Sequence, residues 1–112
     1  MDMERFSRVV EERGERFLAR VFAPAELESD PSIQTLAGRF AAKEAILKAL
    51  GTGLAEGVSW RDMRITGGGG RPPSVETSGA AASMLEGRKV HVSISHAAQY
   101  ALAMAVTEDL EG

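Results

Sequence analysis

One carboxylate in a predicted helix has basic side chains on both sides of it in the sequence. At 100° per residue, Glu44 lies about 40° from Phe40, at the edge of the helix's apolar side. Burying a lone carboxylate is costly, so Glu44 must be paired or bind a cation. The basic residues of the same segment are Arg39, Lys43 and Lys48.

Two interpretations of Glu44 are open. The first is a salt bridge to Lys48, since Glu at i and Lys at i+4 form a favourable pair worth about 0.2–0.5 kcal/mol. The second is a site in which the carboxylate holds a divalent cation and the basic side chains hold phosphate oxygens. The helix then runs into Gly51, where backbone can approach such a ligand.

A second polar cluster lies on one face of a predicted strand. His91, Ser93 and Ser95 alternate with apolar residues there, and His96 stands at the predicted turn. No acidic residue lies within this stretch to orient a Ser–His pair, so a catalytic triad is poorly supported. The cluster is either a hydrogen-bonding surface for phosphate, ribose or a base, or an ordinary polar strand face.

A glycine run at residues 67–70 is followed by Arg71 and Pro72. Four successive glycines are not expected to form a regular element and must be a turn or loop. Such a loop either wraps a ligand or joins the two strands of a hairpin. It is neither a Walker A loop nor a dinucleotide fingerprint, because the residues and spacing that those motifs require are absent.

Arginines recur through the first predicted helix. If that helix were straight, four of them would share an arc about 80° wide: Arg5, Arg13, Arg16 and Arg20. This stripe suits an acidic partner. Five acidic residues among residues 1–23 favour the alternative of a solvated face of mixed charge.

Composition narrows the possible chemistry. The 112 residues predict one domain over residues 1–112, and 44% apolar content is enough for a core. The chain has no cysteine, which excludes disulfides, thiol nucleophiles and iron–sulfur ligation. Two histidines exclude a three-histidine zinc site. A net charge of −3 argues against general nucleic-acid binding.

The pattern of apolar residues argues against a membrane protein. No run of apolar residues is long enough to span a bilayer. The first residues are charged and lack the apolar core of a signal peptide. We therefore expect a cytoplasmic protein.

The elements that must position these residues can be read from periodicity. Residues 4–22 predict a helix that Gly14 bends or ends and that Pro24 closes. Residues 32–50 predict a second helix, begun by Asp30 and Pro31 and ended by Gly51.

The second half predicts strands. Residues 62–66 and 74–77 are expected to pair, and residues 80–85 form a short helix. Residues 90–95 and 100–106 alternate as an antiparallel hairpin with residues 96–99 as its turn. The alanines of the last strand suit close packing on a helix. The predicted class is α+β, with helices on one side of an antiparallel sheet.

Four segments together resemble the bacterial holo-acyl-carrier-protein synthases, the small 4′-phosphopantetheinyl transferases. They are residues 38–45 (Gly-Arg-Phe-Ala-Ala-Lys-Glu-Ala), 48–53 (Lys-Ala-Leu-Gly-Thr-Gly), 70–72 (Gly-Arg-Pro) and 91–96 (His-Val-Ser-Ile-Ser-His). Residues 22–26 also resemble that family's Thr-Pro-x-Glu segment, with alanine for the threonine. The resemblance covers nearly the whole chain from Met3 on.

The resemblance implies transfer of phosphopantetheine from coenzyme A to a serine of an apo acyl carrier protein. The reaction depends on Mg²⁺, releases adenosine 3′,5′-bisphosphate and usually serves fatty-acid synthesis. Family members are typically homotrimers with active sites between subunits.

The resemblance also implies roles for individual residues. Glu44 matches the metal ligand, and the expected catalytic set is Glu44, Lys48 and His96. The expected coenzyme A contacts are Arg39, Lys43, Lys48, Gly51, Gly70, Arg71, Pro72, His91, Ser95 and His96. The expected carrier contacts are Arg5, Arg13, Arg16 and Arg20. The base that takes the serine proton is open between a metal-adjacent water, Glu44 and His96, with Glu28 as a remoter candidate for orienting that water.

One feature of the family is expected to be missing. Its opening Gly-x-Asp strand supplies a second metal ligand, and aligning a family arginine with Arg5 places that aspartate before Met1. On that alignment Asp2 matches a different position, so we expect either that the native start lies upstream or that the chain has one carboxylate fewer than a working magnesium site needs. The alternatives are a catalytically impaired trimer that binds coenzyme A or a nucleotide, and a carrier-binding protein that uses only the arginines.

Overall fold

The computed structural model describes residues 1–51, 57–68 and 71–110. Helices α1 to α4 span Met3–Val21, Pro24–Leu27, Ile33–Leu50 and Gly79–Met84. Strands β1 to β4 span Met63–Gly68, Arg71–Thr77, Arg88–Ala97 and Tyr100–Asp109. The predicted α+β class is confirmed. Among the described residues, none of the helices combines the length and the apolar character that crossing a bilayer requires.

Helix α1 is kinked in its middle. Gly14 has φ 60° and ψ −143°, a conformation that a residue with a Cβ adopts only under strain. The helix begins at Asp2, whose carboxylate accepts from the backbone N–H groups of Glu4 and Arg5. The predicted helix with a break at Gly14 is therefore confirmed.

Helix α2 was not predicted. Pro24 begins this short helix instead of only closing the segment before it, because the first turn of a helix leaves its N–H groups unpaired and proline has none. Glu26, in the same turn, accepts a hydrogen bond from the Ala23 N–H at 2.9 Å.

Helix α3 follows the predicted course and begins at a different cap. The Ser32 hydroxyl accepts from the Thr35 N–H at 3.1 Å. Asp30, the predicted cap, has a φ of 48° and lies in the preceding turn, a conformation that aspartate tolerates. Gly51 ends the helix as predicted, with its N–H donating to the Leu47 carbonyl.

The strands form two separate antiparallel hairpins in the described part of the chain, β1–β2 and β3–β4. Both predicted pairings are confirmed, and the predicted helix over residues 80–85 is α4. Strand β3 continues through His96, which pairs with Ala101, so the predicted turn shrinks to Ala98 and Gln99. Strand β1 runs through Gly67 and Gly68, where a loop was predicted.

Helix α3 packs on one face of the β3–β4 hairpin. Ala101 is buried, and Ala103 and Ala105 contact the core that α3 helps to build. This confirms the predicted packing of the alanine face on a helix. At Gly38 of α3 a Cβ would lie 2.9 Å from the Ile94 side chain, so the close approach of helix to strand requires glycine there.

The opposite face of the hairpin, here called the outer face, is exposed and largely apolar. Strand β4 contributes Tyr100, Leu102, Met104 and Val106 to it, and Met104 is 67% exposed. Their partners across the ladder are Ala97, Ser95, Ser93 and His91. The alternation of β4 therefore yields one packed alanine face and one uncovered apolar face.

Candidate functional site

Asp2 and Glu44 line one cavity of about 440 Å³, which we call the carboxylate pocket. The other residues that line it are Met1, Arg5, Phe6, Val9, Phe17 and Phe40. Glu44 is half-buried, in agreement with its predicted place at the edge of the apolar stripe. No group of three or more metal-ligating side chains occurs in the part of the chain that the structure describes. A cation held by only these two carboxylates would take its remaining ligands from water or a bound molecule.

Backbone pairing with β4 holds Asp2 at this pocket. The Ala101 N–H donates to the Met1 carbonyl at 2.7 Å, and the Met3 N–H donates to the Gln99 carbonyl at 2.8 Å. Asp2 is thereby fixed beside Tyr100. The expectation of one carboxylate fewer than a magnesium site needs is corrected here, because Asp2 lines the same cavity as Glu44. The available signal was an acidic residue directly before the first helix.

Aromatic rings form one wall of the carboxylate pocket. Phe6, Phe17 and Phe40 have centroid separations of 5.6 to 6.2 Å. The Trp60 ring lies 5.1 Å from the Phe40 ring. These rings lower the local polarity, which strengthens electrostatic interactions at the two carboxylates.

The intrahelical salt bridge considered for Glu44 is not formed. Neither oxygen of Glu44 lies within ion-pair distance of Lys48 in the described structure. Lys48 is exposed in the last turn of α3. Its ammonium group is therefore accessible to solvent, one turn from Glu44.

Lys43 is fully buried, which corrects the prediction that it contacts a substrate phosphate. Its ammonium donates to the Glu26 carboxylate and the Val21 carbonyl at 2.7 Å each, and to the Trp60 carbonyl at 3.0 Å. All three donors of the ammonium are thus used inside the protein. Burial lowers the pKa of Lys43 below its usual value, and the bond and charge of Glu26 oppose that effect.

Glu26 is the buried partner that sequence reasoning missed. One oxygen of its carboxylate accepts from Ala23 and Lys43, and the other accepts from the Ile65 N–H at 2.9 Å. Its exposed fraction is 0%. The resemblance of residues 22–26 to the family's Thr-Pro-x-Glu segment could have pointed to Glu26. That short pattern does not show which cation the glutamate contacts.

Arg39 lies on the side of α3 away from the carboxylate pocket, about 140° around the helix from Glu44. Its guanidinium donates to the Glu26 carbonyl at 2.6 Å and to the Gly67 carbonyl at 2.9 Å. Burial lowers the pKa of Arg39, and the Glu26 charge raises it. The Nε atom is buried without a hydrogen-bond partner among the described residues.

A second cavity of about 440 Å³ contains Arg39 and Arg71, and we call it the anion pocket. Its other lining residues are Ala25, Glu28, Ser29, Pro31, Thr35, Thr66 and Gly67. Two guanidinium groups with hydroxyls nearby suit a phosphate. Glu28 lines this pocket and not the carboxylate pocket, which places it away from Glu44.

His96 lies against the first half of α3. Its Nε2 donates to the Gln34 carbonyl at 2.9 Å, because a carbonyl can only accept. A Cβ at Gly38 would lie 3.3 Å from the imidazole ring. Gly38 precedes Glu44 by about 9 Å along the helix axis. Of the predicted catalytic set Glu44, Lys48 and His96, His96 is therefore not beside Glu44 within one chain.

The other predicted coenzyme A contacts lie on different surfaces. His91 is on the outer face and donates to Glu108 at 3.0 Å, and Ser95 is exposed on the same face. Pro72 is exposed on β2, and Gly51 is exposed at the end of α3. Gly70 lies outside the described residues.

The kink in α1 divides the predicted arginine stripe. Arg13, Arg16 and Arg20 line a cavity of about 340 Å³ together with Glu12 and Phe17, and we call it the basic pocket. Arg5 lines the carboxylate pocket instead. Because Phe17 lines both cavities, the basic pocket adjoins the carboxylate pocket.

Comparison with known proteins identifies a family for this arrangement. The profile of the 4′-phosphopantetheinyl transferase superfamily matches residues 1–105. The holo-[acyl-carrier-protein] synthase of Koribacter versatilis is 39% identical, over 97% of this chain and 93% of that protein. The protein of the same name from Geotalea daltonii is 45% identical, over 96% of this chain and 92% of that protein.

Solved structures agree with the sequence matches. The Helicobacter pylori holo-[acyl-carrier-protein] synthase in complex with coenzyme A superposes with a TM-score of 0.84 at 28% identity, covering 96% of this chain and 95% of that chain. The enzyme of the same name from Neisseria meningitidis has a TM-score of 0.84 at 33% identity, covering 97% and 93%.

Proposed function

The chain belongs to the 4′-phosphopantetheinyl transferase superfamily, and from that premise we propose that it transfers 4′-phosphopantetheine from coenzyme A to a serine of an apo acyl carrier protein. The reaction releases adenosine 3′,5′-bisphosphate and requires Mg²⁺. The observation that carries the proposal is the meeting of Asp2 and Glu44 in one pocket. We further propose that the enzyme works in the cytoplasm and serves fatty-acid synthesis.

The carboxylate pocket fits Mg²⁺ by its donor chemistry. Magnesium binds oxygen ligands and in phosphate-transfer sites usually takes one or two protein carboxylates, with waters and substrate phosphates. Asp2 and Glu44 are such a pair. Asp2 uses its Oδ1 to cap α1, and among the described residues its Oδ2 accepts no hydrogen bond. When bound, the ion would supply neutralisation of the charge on a diphosphate.

The anion pocket fits a phosphate group of coenzyme A. Arg39 and Arg71 line it, and the buried Arg39 Nε has a hydrogen-bond donor to spare in the described structure. A buried donor without a partner is costly, so an anion that accepts from it stabilises the complex. Lys48 is the exposed cation closest in sequence to Glu44. We propose that it contacts a phosphate near Glu44.

The basic pocket fits the acidic helix of a carrier protein. Arg13, Arg16 and Arg20 provide positive charge, and Phe17 connects this surface to the carboxylate pocket. A carrier bound there would direct its serine towards Asp2 and Glu44.

Of the proposed bases, Glu44 and a water beside the metal remain suited to take the serine proton. His96 could act only through Nδ1, because its Nε2 donates to Gln34.

Completion of the site by a second copy explains why the predicted residues are dispersed. The carboxylate pocket and the anion pocket lie on different sides of α3, while His91 and Ser95 lie on the outer face. We propose a homotrimer in which outer faces meet and join groups of neighbouring chains into one site. Burial of the four apolar side chains of β4 would supply the association free energy.

Mass spectrometry of an apo carrier protein incubated with this chain, coenzyme A and Mg²⁺ tests the proposal. The expected result is a mass gain of one phosphopantetheine on the carrier, abolished by EDTA. Tight binding of coenzyme A without a mass gain would overturn it in favour of an impaired binding protein. Carrier binding that needs no coenzyme A, again without a mass gain, would favour a protein that acts only through its arginines.

A further inference from the structure

We propose that Glu26 is a positioning residue that fixes the carboxylate pocket and the anion pocket relative to each other. The inference rests on the proposed function and concerns a residue that does not line the carboxylate pocket. It acts through two residues of α3. Lys43 directly precedes Glu44 of the carboxylate pocket, and Arg39 lines the anion pocket.

The side chain of Glu26 fixes the buried face of α3. Its Oε1 accepts from Lys43 at 2.7 Å, and Lys43 also donates to carbonyls of α1 and of the 3-10 turn at Trp60. Lys43 directly precedes Glu44. Because a helix rotates as a unit, holding the Lys43 side chain in the interior sets the direction in which the Glu44 side chain projects from the helix.

The main chain of Glu26 fixes the anion pocket. Its carbonyl accepts from Arg39 at 2.6 Å, and the same guanidinium donates to the Gly67 carbonyl of β1. The Glu26 Oε2 accepts from the Ile65 N–H of that strand. Glu26 therefore ties both α3 and the start of the β1–β2 hairpin, which carries Arg71, to one buried point.

The pattern of donors argues for more than general stabilisation. A buried ion pair is often no more stable than an apolar replacement, so stability alone gives weak reason for one. Apart from the bond from the Ala23 N–H, the bonds of Glu26 lead to residues that adjoin or line a proposed ligand site: Lys43, Ile65 and Arg39. Outer partners of this kind orient the groups that bind a metal or phosphate, and changing them typically costs about 10–100-fold in affinity or activity.

The test compares Glu26→Gln/Lys43→Met with the wild type and with Leu85→Ala. The double substitution removes both buried charges together, so no unpaired charge is left inside. Leu85 is buried at the end of α4 and lines none of the three pockets, so its substitution serves as a control for lost stability. Thermal unfolding, Mg²⁺-dependent transfer and calorimetric binding of coenzyme A are measured for each protein.

We expect the double variant to fold and to need about tenfold more Mg²⁺ and coenzyme A, while Leu85→Ala keeps the wild-type requirements. Wild-type requirements in a folded double variant, or equal losses in Leu85→Ala, would overturn the inference. Should the double variant fail to fold, Glu26→Asp is used under the same criteria, since it keeps the charge and shortens the reach. A wild type without transfer would instead refute the proposed function.

Discussion

Two carboxylates from distant parts of the chain meet at the carboxylate pocket, and each is held there by a different kind of contact. Glu44 is placed by the rotation of α3, whereas Asp2 is placed by backbone hydrogen bonds of its neighbours to β4. Two carboxylates that line one cavity would favour a bound cation, because it relieves the repulsion between their charges. The two residues are therefore expected to act together.

Replacement of either carboxylate should abolish magnesium-dependent transfer and leave the fold intact. For Glu44→Ala, Glu44→Gln and Asp2→Asn we expect losses beyond the roughly 10–100-fold that outer partners of a metal cost. Transfer kinetics at increasing Mg²⁺, with circular dichroism of each variant, measure this. Glu76→Gln is the matched control, because it removes an exposed carboxylate of β2. Normal transfer by Glu44→Gln would contradict the assignment.

A stability measurement distinguishes the buried role of Lys43 from a role in phosphate binding. Lys43→Met leaves the Glu26 carboxylate buried without its cation, and we expect a loss of about 3–5 kcal/mol in the free energy of unfolding. Arg88→Met removes a cation from an exposed pair and should cost less than about 1 kcal/mol. Urea unfolding of both proteins provides the comparison. Similar small losses would show that Lys43 is not the buried partner of Glu26.

At the scale of elements, the kink in α1 decides which arginines act together. A straight helix would have put Arg5 in line with Arg13, Arg16 and Arg20. The conformation of Gly14 instead assigns Arg5 to the carboxylate pocket and the other three to the basic pocket. The backbone, and not only the side chains, thus shapes the proposed carrier surface.

Substitution of Gly14 should therefore weaken carrier binding. Gly14→Ala is expected to cost about 1–3 kcal/mol in stability, because alanine is strained at this φ and ψ, and to raise the KM for the carrier. Gly87→Ala is the control, since Gly87 also has a positive φ, of 78°, and lies in the turn before β3. Thermal unfolding and carrier titrations test both variants. An unchanged carrier KM in Gly14→Ala would contradict a role for the kink.

At the scale of the whole molecule, the outer face carries most of the exposed large apolar side chains among the described residues. Tyr100, Leu102, Met104 and Val106 form a continuous exposed row along β4. Contiguous apolar surface of this kind commonly marks a protein interface. Self-association through this row would also bring His91 and Ser95 of one chain towards a neighbouring chain.

A charge on the outer face should dissociate the assembly and stop transfer. Met104→Glu is expected to sediment as a monomer with little activity, because assembly would bury an unpaired carboxylate. Ser83→Glu, on the exposed side of α4, should keep both properties. Analytical ultracentrifugation and transfer assays measure the two. A fully active Met104→Glu monomer would contradict the proposed assembly.

Mixing inactive variants tests whether sites are shared between chains. Glu44→Ala affects the carboxylate pocket and Arg71→Ala affects the anion pocket, which lie on different sides of α3. If one site uses both pockets from different chains, mixed assemblies should recover part of the activity after joint refolding. No recovery would indicate that each chain supplies a whole site.

The sequence alone determined most of the local elements and the place of one candidate metal ligand on its helix. Apolar periodicity predicted α3 and the β3–β4 hairpin, since spacing along the chain fixes which residues share a face. It also placed Glu44 at the edge of the buried stripe. The resemblance to the synthase family came from short segments whose order is visible without any fold.

Only the tertiary structure decided which faces meet. Periodicity does not show that Lys43 meets Glu26, because the contact depends on how α2 folds back onto α3. The pairing of residues 1–3 with the end of the hairpin, which brings Asp2 to Glu44, joins opposite ends of the chain. Such long-range contacts follow from the packing of all elements at once, and no local pattern contains them.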